Sequence, residues 1–123
     1  MQAMGRQGMV YESAAARWVE REQGMRILAR NFGGRGGEID IVALDAGQLA
    51  FIEVRARSNP RFAGAAASVD RRKQRRLLVT AQLFLQRHPT LAALPCRFDV
   101  IAFEPPQSGA EPQMRWIRGA FTA

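Results

Sequence analysis

The sequence predicts a single α/β domain in which helices flank a mixed β-sheet. Three observations predict this fold class. Two segments with helical periodicity alternate with segments of strand-like character, and a tight turn joins two of those strands. A long helical crossover separates this pair from a later strand. The chain has 123 residues, which is enough for one hydrophobic core and too few for two.

The first elements are a helix and a strand. Apolar side chains recur at helical spacing over Gln7–Gln23, and Gly24 suits the C-terminal cap of this helix. A short strand is expected over Met25–Phe32. It should end at the run Gly33–Gly37, because four glycines in five residues are expected to be too flexible for regular structure.

The remaining elements form a hairpin and a crossover unit. The β-type segments Glu38–Leu44 and Leu49–Arg57 are separated by good turn residues and predict the hairpin. A loop-like stretch leads to a second amphipathic helix over residues 69–88, and Cys96–Glu104 alternates as a strand. A strand, a helical crossover and a strand predict a right-handed βαβ unit, so the last strand should lie parallel to a hairpin strand. The sheet is therefore expected to be mixed.

One domain should cover residues 1–123, with a core at about residues 9–104 and a C-terminal loop and edge strand in residues 105–123. The single cysteine, Cys96, allows no internal disulfide and favours a reducing, cytoplasmic location. Uncharged stretches are too short for a membrane-spanning helix, so no membrane partner is expected. The first residues mix acids and arginines where a signal peptide needs an apolar run, which places them in the fold.

Charge is the strongest compositional signal. The chain carries 18 basic and 11 acidic residues, for a net charge of +7, and Lys73 is its only lysine. The planar fork of arginine matches phosphate oxygens, so the composition favours a polyanion and nucleic acid in particular. An arginine bias in the whole genome would give the same count and stays open as the alternative.

Two acids are expected to converge on the hairpin. If its loop is Asp45–Gln48, Asp40 faces Glu53 and Glu38 faces Arg55, with these side chains on one face and aliphatic ones on the other. Facing carboxylates repel unless a proton or a cation lies between them. Mg²⁺ or Mn²⁺ would suit, because such ions take oxygen ligands and need only one or two protein carboxylates. A metal site and a solvated face on which the acids pair with arginines both remain open.

Basic residues crowd the start of the second helix, where they repel one another and oppose the helix dipole. A polyanion would relieve both penalties, and a solvated charged face is the alternative. An arginine within the glycine run could approach a backbone phosphate or belong to a plain connector. The candidate nucleic-acid contacts are Arg35, Arg57, Arg71, Arg72, Lys73, Arg75 and Arg76.

The segments GEIDIVALDAGQLAFIEVRAR, RILARNFGGR before it and RFDVIAF after the second helix resemble the YraN family of small bacterial proteins. The resemblance covers about Tyr11–Phe103. It implies a restriction-endonuclease-like fold, close to archaeal Holliday-junction resolvases. Active sites of that type use an acid on the first helix, an aspartate on one hairpin strand and a Glu-x-Lys tripeptide on the next.

Carried over by position, the resemblance implies catalytic roles for Glu12, Asp40, Glu53 and Arg55. Asp40, Glu53 and the carbonyl of Val54 would hold Mg²⁺ or Mn²⁺. The implied function is a metal-dependent endonuclease that hydrolyses DNA phosphodiester bonds at branched or repair and recombination structures. DNA is expected ahead of RNA, and junction cleavage would favour a homodimer.

Arg55 departs from the pattern, because it stands where the pattern has lysine. Its guanidinium stays protonated, so it could position phosphate or stabilise the transition state but could not accept a proton. The alternative function is therefore a catalytically degenerate module that only binds nucleic acid. A third interpretation, a scaffold for protein contacts, leaves the carboxylates unexplained. Lys73 could approach the site from the second helix, or it could be an ordinary exposed lysine.

Overall fold

A computed structural model of the chain describes residues 6–34, 36–56, 69–104 and 113–121. Within these ranges it contains a five-stranded mixed sheet and two long helices, as predicted and consistent with a restriction-endonuclease-like fold. The elements are α1 (Arg6–Arg21), β1 (Arg26–Gly34), β2 (Gly37–Asp45), β3 (Gln48–Ala56), α2 (Arg71–Arg87), a short 3-10 turn (Pro89–Leu91), β4 (Cys96–Glu104) and β5 (Gln113–Phe121).

The strands lie in the order β1-β2-β3-β4-β5. Only the β3–β4 pair is parallel, and α2 lies in the crossover that connects these two strands. The predicted helical crossover and parallel pairing are therefore confirmed, and β5 is the expected C-terminal edge strand. None of the helices described is both long and apolar enough to cross a membrane.

Each face of the sheet is covered by one helix. Val19 of α1 belongs to the same buried cluster as Ile52, whereas Phe84 of α2 packs edge-on against Phe51 on the opposite face. Burying one such side chain contributes about 1.5–3 kcal/mol relative to leaving it exposed. The expectation that aliphatic side chains fill only one face is therefore wrong. Both faces are apolar because the crossover helix and the first helix pack on opposite sides.

Gly33, Gly34 and Gly37 belong to the strands, contrary to the expected flexible break. Gly33 pairs with Glu38, and Gly34 pairs with Gly37, so β1 and β2 form a tight hairpin. Gly33 has a φ of +140°, and a Cβ there would lie 2.8 Å from the Glu38 Cα and still closer to the carbonyl oxygen of Gly37. Glycine is therefore required at this position by the close approach of two backbones.

Strand β5 is anchored to β4 by a buried acid. Asp99 is fully buried, and both of its oxygens accept from Arg97 Nε at 3.1 Å. Trp116 Nε1 and the amide of Gly119 donate to it from β5 at 3.0 and 2.9 Å. Gly119 has a φ of +58° at an irregularity in the β4–β5 register. Four hydrogen bonds from three donors on two strands satisfy the buried carboxylate and fix the edge strand to the sheet.

Candidate active site

The candidate site forms where β2 and β3 separate. The predicted register is confirmed as far as Ile41 opposite Ile52, where the paired ladder ends. The amide of Val54 then donates to Asp40 Oδ2 at 2.8 Å, so this carboxylate bridges the gap between the strands. Asp40 is only 7% exposed, which contradicts the interpretation of a solvated polar face.

The two carboxylate oxygens of Glu53 have different surroundings. Lys73 Nζ lies 3.3 Å and Arg55 Nη1 3.5 Å from Oε2. The other oxygen, Oε1, is buried without a hydrogen-bond partner, and the whole residue is 4% exposed. A buried and unpaired carboxylate oxygen is costly, so Oε1 requires a proton or a cation beside it.

The two carboxyl groups perturb each other strongly. Burial, and then the negative charge of Glu53, raise the pKa of Asp40 to about 9, although the hydrogen bond from Val54 lowers it. Burial also raises the pKa of Glu53, against the charges of Lys73 and Arg55. The carboxyl groups lie close enough to share a hydrogen bond when one of them is protonated. Without a cation, the pair is therefore expected to hold one proton at neutral pH.

This donor set fits a small, hard divalent cation. Two converging carboxylates, one with an unpaired buried oxygen, match the demand of Mg²⁺ or Mn²⁺ for one or two protein carboxylates plus water and phosphate. Across the described ranges, no group of three or more His, Cys, Asp or Glu side chains could enclose a metal ion. An all-protein site of the zinc type is therefore not found there. Val54 contacts Asp40 through its amide, and the role of its carbonyl stays a prediction.

Glu12 reaches the site from α1. It is 6% exposed, which excludes an ordinary surface glutamate, and its charge contributes to the raised pKa of Asp40. Asn31 of β1 donates from Nδ2 to Glu12 Oε1 at 2.9 Å and contacts Glu38 Oε1 at 3.5 Å. Asn31 has a φ of +52°, a conformation that asparagine tolerates better than most residues. Sequence reasoning missed Asn31, because a lone asparagine in a strand carries no signal of this role.

Lys73 contacts Glu53 in the site, while the arginines beside it on α2 are exposed. Asp70 caps the helix by accepting from the Lys73 amide at 2.9 Å, which fixes where the first turn begins. A Cβ at Gly37 would lie 3.6 Å from Arg76 Cβ, so the basic turns of α2 border the β1–β2 hairpin. The exposed bases are Arg71, Arg72, Arg75 and Arg76. The predicted contacts Arg35 and Arg57 lie outside the described residues.

The sequence and its fold match one family. The family model described as "Uncharacterised protein family UPF0102", which is the YraN family, covers residues 11–103. The chain belongs to the UPF0102 family. The resemblance predicted from the motifs is thereby confirmed.

Several UPF0102 proteins align over nearly their full length. That of Xanthomonas euvesicatoria pv. vesicatoria is 54% identical over 110 residues, which are 89% of this chain and 87% of the relative. That of Xanthomonas campestris pv. campestris is 50% identical over 119 residues, 97% of this chain and 93% of the relative. That of Xylella fastidiosa strain 9a5c is 51% identical over 114 residues, which are 93% of this chain and 90% of the relative.

Proposed function

We propose that this UPF0102 protein is a metal-dependent endonuclease that hydrolyses DNA phosphodiester bonds. The observation that carries the proposal is the contact between two buried carboxyl groups, Asp40 and Glu53, with one Glu53 oxygen left unpaired. Like charges held together in a buried site reduce stability, and such strongly shifted pKa values concentrate at functional sites. A divalent cation would relieve the repulsion and the unpaired oxygen together.

Asp40 and Glu53 would hold Mg²⁺ or Mn²⁺, and the bound ion would supply an activated water and neutralise charge on the phosphoryl oxygens. Lys73 and Arg55 add two fixed positive charges beside Glu53, where they can stabilise the negative charge that develops on phosphorus. Arg55 keeps its proton and acts only through its charge. Glu12, which is buried and accepts a hydrogen bond from Asn31, would accept a hydrogen bond from the attacking water.

The exposed arginines of α2 would bind the nucleic-acid backbone. They occupy the first two turns of the helix, next to the one lysine that contacts Glu53. Their guanidinium groups suit phosphate, and the overall charge of +7 favours a polyanion. The proposed substrate is DNA rather than RNA, at branched or repair and recombination structures in the cytoplasm. Cleavage of both strands of a junction would favour two copies of the chain in a homodimer.

Incubation with plasmid and synthetic branched DNA in Mg²⁺ or Mn²⁺ tests the proposal. The wild type should nick or cut DNA. Asp40→Asn and Glu53→Gln should abolish cleavage and retain binding in gel-retardation assays. Glu20→Gln, which changes an exposed acid on α1, serves as the control and should cut normally. Cleavage that survives in both site variants would refute the nuclease proposal.

The degenerate binding module is the other outcome of this experiment. It would retard DNA with a steep salt dependence and cut none in either metal. Arg55→Lys then becomes informative, since it restores the usual Glu-x-Lys pattern without removing the charge beside Glu53. Cleavage gained by this variant alone would show that the parent chain has lost catalysis through Arg55.

A further inference from the structure

Lys73, on α2, contacts only one of the two carboxylate oxygens of Glu53, which lies on β3. Lys73 Nζ lies 3.3 Å from Oε2, while Oε1 has no hydrogen-bond partner. The Asp70 cap holds the Lys73 amide at 2.9 Å, and the Gln74 amide donates to the Asp70 carbonyl at 2.8 Å. The backbone at Lys73 is thus fixed at the start of α2, and its side chain reaches Oε2 from there.

We propose that Lys73 is a specificity-determining residue that makes the site select Mg²⁺ and Mn²⁺ over Ca²⁺. By keeping Oε2 in an ion pair, Lys73 leaves Glu53 with only Oε1 to offer a cation. This inference rests on the proposed metal-dependent function and concerns the same site.

The selection follows from the coordination preferences of the two kinds of ion. Mg²⁺ requires near-ideal octahedral geometry at about 2.0–2.1 Å and keeps several waters, so one oxygen from each carboxylate suffices. Ca²⁺ takes about six to eight oxygens at longer distances and often binds both oxygens of one carboxylate. A Glu53 restricted to a single oxygen therefore disfavours Ca²⁺ more than Mg²⁺.

Arg55 also contacts Oε2, but at 3.5 Å and from the same strand, two residues away. Lys73 is closer and is held by a separate helix. The restriction of Glu53 to one oxygen therefore depends chiefly on α2.

Calorimetric titration of the full chain with Mg²⁺, Mn²⁺ and Ca²⁺, without DNA, tests this assignment. Lys73→Met should strengthen Ca²⁺ binding about tenfold relative to Mg²⁺, because Glu53 can then offer both oxygens. Lys73→Arg keeps a cation on Oε2 and should keep the wild-type ratio of the two dissociation constants. Arg72→Met removes an exposed charge from the same turn. It should increase the binding affinity for all three ions by one common factor.

Two outcomes would contradict the proposal in different ways. In the first, Lys73→Met changes the dissociation constants of Mg²⁺ and Ca²⁺ by the same factor, which is the result expected for Arg72→Met. In that case Lys73 acts through net charge alone, and the proposed role in selectivity is wrong. The proposed nuclease function would survive that result. If the wild type binds none of the three ions, the metal-dependent function fails as well. Circular dichroism of each variant shows whether it has folded.

Discussion

Replacing Asp40 by asparagine should stabilise the metal-free protein at neutral pH, although it removes a proposed metal ligand. Asp40 is 7% exposed, and burial followed by the charge of Glu53 raises its pKa from 3.8 to about 9. Between these pH values the folded state holds a proton that the unfolded state has released. The free energy of unfolding of the wild type therefore falls as the pH rises through this window. Asparagine has no charge to bury and keeps an oxygen that can accept from Val54.

The size of the effect follows from the same shift. Each pH unit within the window costs the wild type about 1.4 kcal/mol. Roughly three units separate the ordinary pKa of the carboxyl from pH 7, so the gain from Asp40→Asn at pH 7 should be at most about 4 kcal/mol. At pH 4, close to the ordinary pKa of 3.8, the unfolded carboxyl has only begun to release its proton, and the two proteins should differ by less than about 1 kcal/mol.

Urea unfolding in the presence of a chelator, followed by circular dichroism between pH 4 and pH 8.5, measures this difference. Asp45→Asn is the matched control, because it makes the same change at the other end of β2. Asp45 forms an ion pair with Arg97 at 2.9 Å, so its loss should not stabilise the protein. The reasoning is refuted if Asp40→Asn is no more stable than the wild type at pH 7, or if its advantage does not grow with pH.

Three further predictions address the surface and the fold. Changing both Arg72 and Arg76 to alanine should weaken DNA binding and reduce the slope of log K against log salt by about two, as measured by fluorescence anisotropy. An unchanged slope would exclude phosphate contacts by Arg72 and Arg76. Asp99→Asn should lower the free energy of unfolding in urea by about 3 kcal/mol, because a buried, fully bonded charge is lost. A loss below about 1 kcal/mol would contradict its role as anchor. Gly33→Ala should cost about 2–4 kcal/mol in the same assay, whereas Gly34→Ala, with open space at its Cβ, should cost much less. Equal losses would contradict the close approach of the two backbones.

The sequence predicts well those features that depend on local chemistry. The turn Ala46–Gly47 and the twofold alternation of strand side chains fix the register of the hairpin, and that register brings Asp40 near Glu53. The amphipathic pattern of the crossover predicts α2. A helical crossover between two strands in turn predicts that β3 and β4 pair in parallel. These inferences need only local sequence patterns and a general rule for crossover connections.

Other features depend on how distant elements meet. The ladder stops beyond Ile41, and no residue near Asp40 signals that its carboxylate will take the place of a backbone partner. The distance from Lys73 to Glu53 depends on how α2 packs against the sheet. The orientation of Glu12 depends on Asn31, which lies 19 residues away along the chain. Such contacts are set by tertiary packing. The sequence pattern therefore shows that these contacts are possible but does not predict that they form.

The central claim is that Asp40 and Glu53 together bind one divalent cation. Titration with Mn²⁺, followed by the electron paramagnetic resonance signal of the free ion, tests it without DNA and without turnover. One ion should bind per wild-type chain, and Asp40→Asn and Glu53→Gln should each weaken that binding by at least about tenfold. If the wild type takes up no Mn²⁺, or if both variants bind it as tightly as the wild type, the two acids are not a metal centre.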